Sequence, residues 1–409
     1  MDALYPFLNF LQPGILWPAL ADAKPMMIAG LVALLAGMGR RRSESLAISL
    51  RQPAFLWLCA FVAVQTLSVH AGGLMEMFFE LVFWITFVYF VVVSVMLVNS
   101  VPALQRYVWG TIAGTMVVVF YGIYAVYAEL PEAVGGRAGA YGMYENHNDY
   151  SFAIIMILPF ILFTRRNAKG RLARLSLLAC ALACIAGIFL SLSRGGVLAL
   201  SAELALYLAY GVRRHRALLF VLLALASAAA IGWQWRARAI NQGDTYTAED
   251  AEISREELWR AGWAMFKSNP LLGVGSRRFG EYSTSYAEIS HDNLGKNAHN
   301  TYFELAATSG LLGFVSFALM LRGMHRELSA RACESAVAEL VNLRTATRIA
   351  LYSIMLRALL DAKSWDWSFY LLCAIALASG ALLREAASAA AANSDQPALP
   401  AGPAGATPR

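Results

Sequence analysis

His299 lies in the stretch NAHNTYFELAATSGLLG, residues 297–313, with Asn300 beside it and Tyr302, Glu304 and the pair Gly310 and Gly313 following. An imidazole with an ordinary pKa near 6.5 takes up a proton close to neutrality, which suits a general base. The same residues also read as a helix start, with a polar cap at an apolar boundary. Some twenty residues earlier, Gly273-Val274-Gly275-Ser276-Arg277-Arg278 sets flexible glycines beside two guanidinium groups. A planar guanidinium donates to phosphate oxygens in pairs, although paired loop arginines are usually solvated. The nearness of such a potential phosphate-binding turn makes His299 a candidate general base.

Two further arginines stand where polar groups cost most. Arg137 lies in ELPEAVGGRAGAYGMYENHND, residues 129–149, which reads either as an anion-binding loop or as a hydrophilic hairpin with Asn and Asp caps. Arg194 lies in SLSRGG, residues 191–196, between two apolar runs with almost no loop. It is either a snorkelling anchor or a ligand contact, with Gly195 and Gly196 letting a ligand near the backbone. Within the apolar runs, Glu203 and the i, i+4 pair Arg357 and Asp361 stand out; the pair neutralises itself on one helix face and is a candidate supporting contact.

These residues need a frame, and composition indicates which. The 409 residues are 58% hydrophobic and 15% charged, against about 25% charged in soluble domains. Apolar runs near the roughly 20 residues that cross a bilayer recur along the chain. They fall at about 4–20, 25–39, 53–69, 75–98, 104–128, 150–164, 172–192, 196–211, 217–235, 301–321, 349–360 and 367–383. The expected fold is an all-α polytopic membrane protein of about 12 transmembrane helices. Residues 1–235 form the first nine spans, 236–300 a large, partly helical outward loop, 301–386 the last three spans, and 387–409 a disordered tail. The first run holds Pro6, Pro13 and Pro18 and starts Met1-Asp2-Ala3-Leu4, without the basic region of a secretory leader.

The net charge of +6 raises nucleic acid as a partner, but charge placement argues for topology instead. With a cytoplasmic N-terminus, Arg40–Arg42, Arg51, Arg106, Arg165, Arg166, Lys169, Arg171, Arg174, Arg213, Arg214, Arg216, Arg322, Arg326, Arg331, Arg344 and Arg348 all fall inside. The 236–300 loop carries eight Lys or Arg against nine Asp or Glu, so it is not a basic patch. Cys59, Cys180, Cys184 and Cys373 fall in spans and Cys333 in an inward connection, so no disulfide framework is expected. Asp244, Asp250 and Asp292 are dispersed along the outer loop, without the spacing of a metal cluster. Within that loop Ser254 and Glu257 match a capping box, opening a helix with Trp259, Trp263 and Phe266 and stopping at Pro270. Phe279, Tyr282, Tyr286 and Ile289 repeat at helical spacing, for a second amphipathic helix that lies on the membrane or caps the bundle.

Taken in order, RAGAYGMYENHNDYS, SRGG, PLLGVGSRRFG and NAHNTYFELAATSGLLG resemble the O-antigen ligase family, related to O-antigen polymerases and pilin oligosaccharyltransferases. The last stretch is similar to that family's His-Asn-x-Tyr-x-Glu signature. At 146–148 this chain has Asn-His-Asn where relatives commonly have Asn-Pro-Asn. The resemblance implies a GT-C-like glycosyltransferase of the bacterial inner membrane with both termini cytoplasmic. It implies transfer of a glycan from undecaprenyl diphosphate to a lipid A–core hydroxyl at the periplasmic face, without cofactor or metal. His299 would then be the base, with Arg137, Arg194, Arg277 and Arg278 on the diphosphate and Asn300, Tyr302, Glu304, Arg357 and Asp361 in support. Alternatives are a polymerase, a protein O-oligosaccharyltransferase and, outside enzymes, a lipid-linked glycan transporter. Partners are the lipid-linked donor, the lipid A–core acceptor and membrane lipids, with no nucleic acid.

Overall fold

A computed structural model describes residues 1–39, 44–211, 229, 232–233, 248–330 and 338–394 of the chain. Among these residues every regular element is a helix: α1 (Leu4–Leu11), α2 (Pro13–Leu16), α3 (Pro25–Met38), α4 (Glu44–Leu50), α5 (Pro53–Ser68), α6 (Gly73–Leu97), α7 (Val101–Tyr127), α8 (His147–Asn167), α9 (Arg171–Leu190), α10 (Arg194–Gly211), α11 (Ala248–Ser268), α12 (Phe279–Tyr286), α13 (Thr301–Ser329), α14 (Ala338–Arg357) and α15 (Trp367–Ser394). Six of them, α6, α7, α8, α9, α13 and α15, are long and apolar enough to cross a membrane, and α3 and α5 are shorter apolar helices. A helix satisfies its own backbone groups, which makes it the form such apolar segments can take in lipid.

The helix starts follow local chemistry. Pro25 and Pro53 occupy first helical positions, where the missing N–H costs nothing. Ser100 accepts from the Ala103 N–H at 3.3 Å, and Asn146 from the Asn148 N–H at 2.8 Å. α8 is the central helix: Tyr150 through Ile161 are buried along it, and it packs on α7, α9, α10 and α14. α13 packs on α5 and α15 on α6, around Phe61, Trp84, Phe317, Phe369 and Tyr370. Leu31 and Leu35 on α3, Phe78 and Phe79 on α6 and Leu175 and Leu182 on α9 are left exposed, as lipid-facing surfaces are.

Several expectations are corrected. The 4–20 run is not one helix: it breaks after Leu11 and again after Leu16, and eight residues reach only about 12 Å. The run at 349–360 belongs to a helix that starts at Ala338 and ends at Arg357, so Arg344 and Arg348 are helical rather than in a connection. α13 continues to Ser329 and α15 to Ser394, so the tail expected from 387 begins as helix. The 217–235 run, apart from 229 and 232–233, lies outside the described residues, as do Arg40–Arg42, Arg213, Arg214, Arg216, Asp244, Arg331 and Cys333.

The 254–289 stretch is also corrected. Ser254 lies inside α11, which begins at Ala248, so it does not cap the helix. Glu257 instead accepts from the Ser290 N–H at 3.1 Å, the Ser290 hydroxyl at 2.8 Å and Asn293 Nδ2 at 2.9 Å. Those hydrogen bonds, led by Asn293, lower its pKa from the ordinary carboxylate value. The aromatic face of α12 packs inward. Phe279 is buried in a second, smaller core with Leu258, Met265, Ala298 and Ala307, and Tyr282, Tyr286 and Ile289 pack against it.

Candidate functional site

His299 sits at the entrance to α13 in the left-handed backbone region, with φ +50°. A non-glycine residue there costs on the order of 1–3 kcal/mol and persists only where neighbours over-determine it. They do so here. The Ala298 N–H donates to the Glu304 carboxylate at 3.1 Å, and the Ala298 carbonyl accepts from Trp259 Nε1 at 2.9 Å. On the other side Asn300 caps α13, accepting from the N–H groups of Tyr302 at 3.1 Å and Phe303 at 3.0 Å. The Tyr302 hydroxyl donates to the Met355 carbonyl at 3.0 Å, fixing α13 to α14.

The end of α14 is stitched to the same corner. Thr301 donates its N–H to the Ala358 carbonyl at 2.8 Å and its hydroxyl to the Asp361 carbonyl at 2.7 Å. The Lys363 N–H returns a bond to the Thr301 hydroxyl at 2.7 Å. This brings the Asp361 carboxylate within 3.8 Å of His299 Nδ1, 3.4 Å of the Arg357 guanidinium and 3.9 Å of Lys363 Nζ. The His299 side chain keeps 34% of its surface exposed, while Arg357 keeps 1% and Asp361 9%. A reachable imidazole is thus backed by a buried, charge-compensated carboxylate.

Two of the other predicted segments converge on this corner. Arg357 also donates to the Ser193 hydroxyl at 3.4 Å, and Ser193 donates to the Asn148 side-chain carbonyl at 2.9 Å. Lys363 forms an ion pair with Asp149. Arg137 Nε donates to the Ser191 carbonyl at 3.1 Å, and the Ala138 N–H to the Leu190 carbonyl at 2.8 Å, so the 129–149 loop lies along the turn that carries Arg194. The space over Gly195 is taken from within: a Cβ there would stand 3.0 Å from Arg357 Nη1. That glycine admits Arg357, where the sequence suggested a ligand.

The fourth segment is differently engaged. Arg277 donates twice to Glu80, at 3.1 and 2.7 Å, and lies 3.9 Å over the Phe83 ring. Arg278 is ion-paired with Glu76, one turn earlier on α6. The glycines of this turn serve packing. The Val274 and Gly275 N–H groups donate to the carbonyls of Ala307 and Thr308, and those of Leu311 and Leu312 to the carbonyls of Pro270 and Leu271. α13 is broken there at Gly310 (φ +65°, ψ −164°), and a Cβ on Gly273 would stand 2.3 Å from the Thr308 carbonyl carbon.

Sequence reading missed Lys363, Asp149, Ser193, Glu76 and Glu80. Lys363 is the most telling: burial, partly offset by Asp366, holds its amine down at about 8. Burial in turn raises the Asp366 carboxyl above its ordinary range. The visible signal was a cluster of three charges, Asp361, Lys363 and Asp366, within six residues just before an apolar helix. Glu203 is fully buried in α10 and is not part of the corner.

The chain matches no curated protein. Residues 175–318, which take in Arg194, the Arg277–Arg278 turn and His299 with most of α13, match the family described as O-antigen ligase.

Proposed function

We propose that the protein is an O-antigen ligase of the bacterial inner membrane, joining a glycan from undecaprenyl diphosphate to a lipid A–core hydroxyl at the periplasmic face. The observation that carries this reading is the exposed His299 imidazole held 3.8 Å from the buried Asp361 carboxylate, where three separate polar segments meet at one end of the helices. A carboxylate beside Nδ1 favours the tautomer with its proton on that nitrogen, leaving Nε2 to accept. His299 takes the proton of the acceptor hydroxyl as its oxygen attacks the anomeric carbon. The bond from that carbon to the diphosphate oxygen breaks, the carrier diphosphate leaves with the electron pair, and the configuration inverts.

The diphosphate is already a good leaving group, so the protein's task is to hold and neutralise it without a metal. Arg137 and Arg194 come from the two segments joined at Ser191. Of the remaining pair, Arg278 is the one that turns to the donor. Its partner Glu76 is 42% exposed, whereas Glu80 is 7% exposed and fixes Arg277 with two hydrogen bonds and a ring contact. Asn300, Glu304 and Tyr302 keep the His299 backbone in place, and Arg357 and Asp361 keep its ring turned.

Reconstitution of the purified chain with a defined lipid-linked glycan and lipid A–core tests the assignment. Glycan joined to the core is the expected product. Extension of the glycan on its carrier makes it a polymerase, transfer to a protein hydroxyl makes it a protein glycosylating enzyme, and glycan movement with no new bond makes it a transporter.

A further inference from the structure

The face of α11 turned away from its core carries two tryptophans that the corner around His299 does not use in full. Leu258, Ala261 and Met265 are buried on one side of this helix and satisfy its apolar face. Trp259 and Trp263 lie on the other side, 41% and 52% exposed, and Trp263 stacks on Phe266 with ring centroids 5.6 Å apart. At about 100° per residue, Trp263 lies about 40° from Trp259 and about 60° from Arg260. Arg260 pairs with Glu256 at 2.9 Å in full view of solvent, and Lys267 follows one turn after Trp263. This face sets indole planes among hydrogen-bonding charges.

It also leads to the candidate base. Trp259 Nε1 donates at 2.9 Å to the carbonyl of Ala298, the residue immediately before His299. The helix therefore borders the backbone that carries His299, within reach of a sugar next to one that reacts there. The axial C–H bonds of a pyranose ring are weakly positive and rest on the negative face of an indole, while its hydroxyls bond to flanking charged groups. We propose that Trp259 and Trp263 form a sugar-stacking platform for a pyranose residue of the donor or acceptor glycan next to the reacting one. This rests on the ligase reading for the place of the reaction.

Two measurements on the full chain in nanodiscs test the platform. In transfer assays, Trp263→Ala raises the KM of one glycan substrate about tenfold with a smaller change in kcat, and Trp263→Phe restores most of the loss. Titrating donor and acceptor separately tells which of them supplies the ring. Binding of the carrier-free donor oligosaccharide or of free core oligosaccharide, followed by saturation-transfer NMR, weakens in parallel in Trp263→Ala. Unchanged KM for both substrates together with unchanged oligosaccharide binding overturns the platform and leaves this face to the membrane interface. A wild-type chain that binds oligosaccharide through Trp263 yet joins no glycan to the core overturns the ligase reading and keeps the platform.

Discussion

Asp361 holds a carboxylate oxygen 3.8 Å from Nδ1 of His299, although 62 positions separate the two residues in the chain. The pair exists because Thr301 ties the first turn of α13 to the backbone at Ala358, Asp361 and Lys363. With His299 as base, His299→Ala lowers kcat for glycan transfer by about 10²–10⁴-fold. Its thermal melting and donor binding stay close to wild type. Near-normal turnover in the purified variant removes His299 from the chemistry.

Asp361 has a second duty, because Arg357 is almost wholly buried against it. Asp361→Asn strands that guanidinium and destabilises the protein by about 3–5 kcal/mol. Pairing it with Arg357→Met removes the stranded charge and recovers much of the stability. If Asp361 also orients His299, the double variant stays poor in transfer. Full recovery of both melting temperature and activity would falsify the orienting role.

Lys363 gives a pH signature. Its amine, held at about 8 in the fold, titrates near 10.4 in an unfolded chain. Between those values the unfolded chain binds more protons, so this group's contribution to stability rises with pH through that window. Below about pH 8 the buried charge is carried at full cost. Comparing melting temperatures of wild type and Lys363→Met from pH 7 to pH 10 should show the difference moving in favour of wild type. A difference independent of pH means that the amine is not depressed.

The two neighbouring arginines separate by their carboxylate partners. Arg278→Ala raises the KM for lipid-linked donor about tenfold at little cost in stability. Arg277→Ala leaves Glu80 buried without its cation and costs about 1–3 kcal/mol, read as a lower melting temperature. The reverse pattern would assign the donor contact to Arg277.

Gly310→Ala tests the break in α13. The backbone there (φ +65°, ψ −164°) is one that side chains disfavour by about 1–3 kcal/mol, and the new Cβ would stand 2.3 Å from the Leu271 carbonyl carbon. The expected result is a lower melting temperature and faster proteolysis within 270–278. A variant as protected as wild type shows that the turn does not depend on the break.

Residue order alone made the chain legible as a set of apolar helices, with candidate polar groups in the connections between them. Hydrophobic length is a local property, so α6, α7, α8, α9, α13 and α15 were legible as runs of residues. His299, Arg137 and Arg194 were legible because each interrupts or borders such a run. The proline-broken start at 4–20 and the helix reaching back to Ala338 were not, since one depends on how breaks are resolved and the other on buried polar faces that packing supplies. Which polar groups meet follows from how the helices pack. Asp361 faces His299, Lys363 faces Asp149, and Arg357 fills the space over Gly195, through contacts between residues far apart in the chain. Packing likewise put the glycines of 273–275 into close backbone contact with α13, and gave Arg277 and Arg278 carboxylate partners from α6. Spacing along a chain fixes neighbours only within a helical turn or two; charges and close approaches across helices are set by which faces pack together.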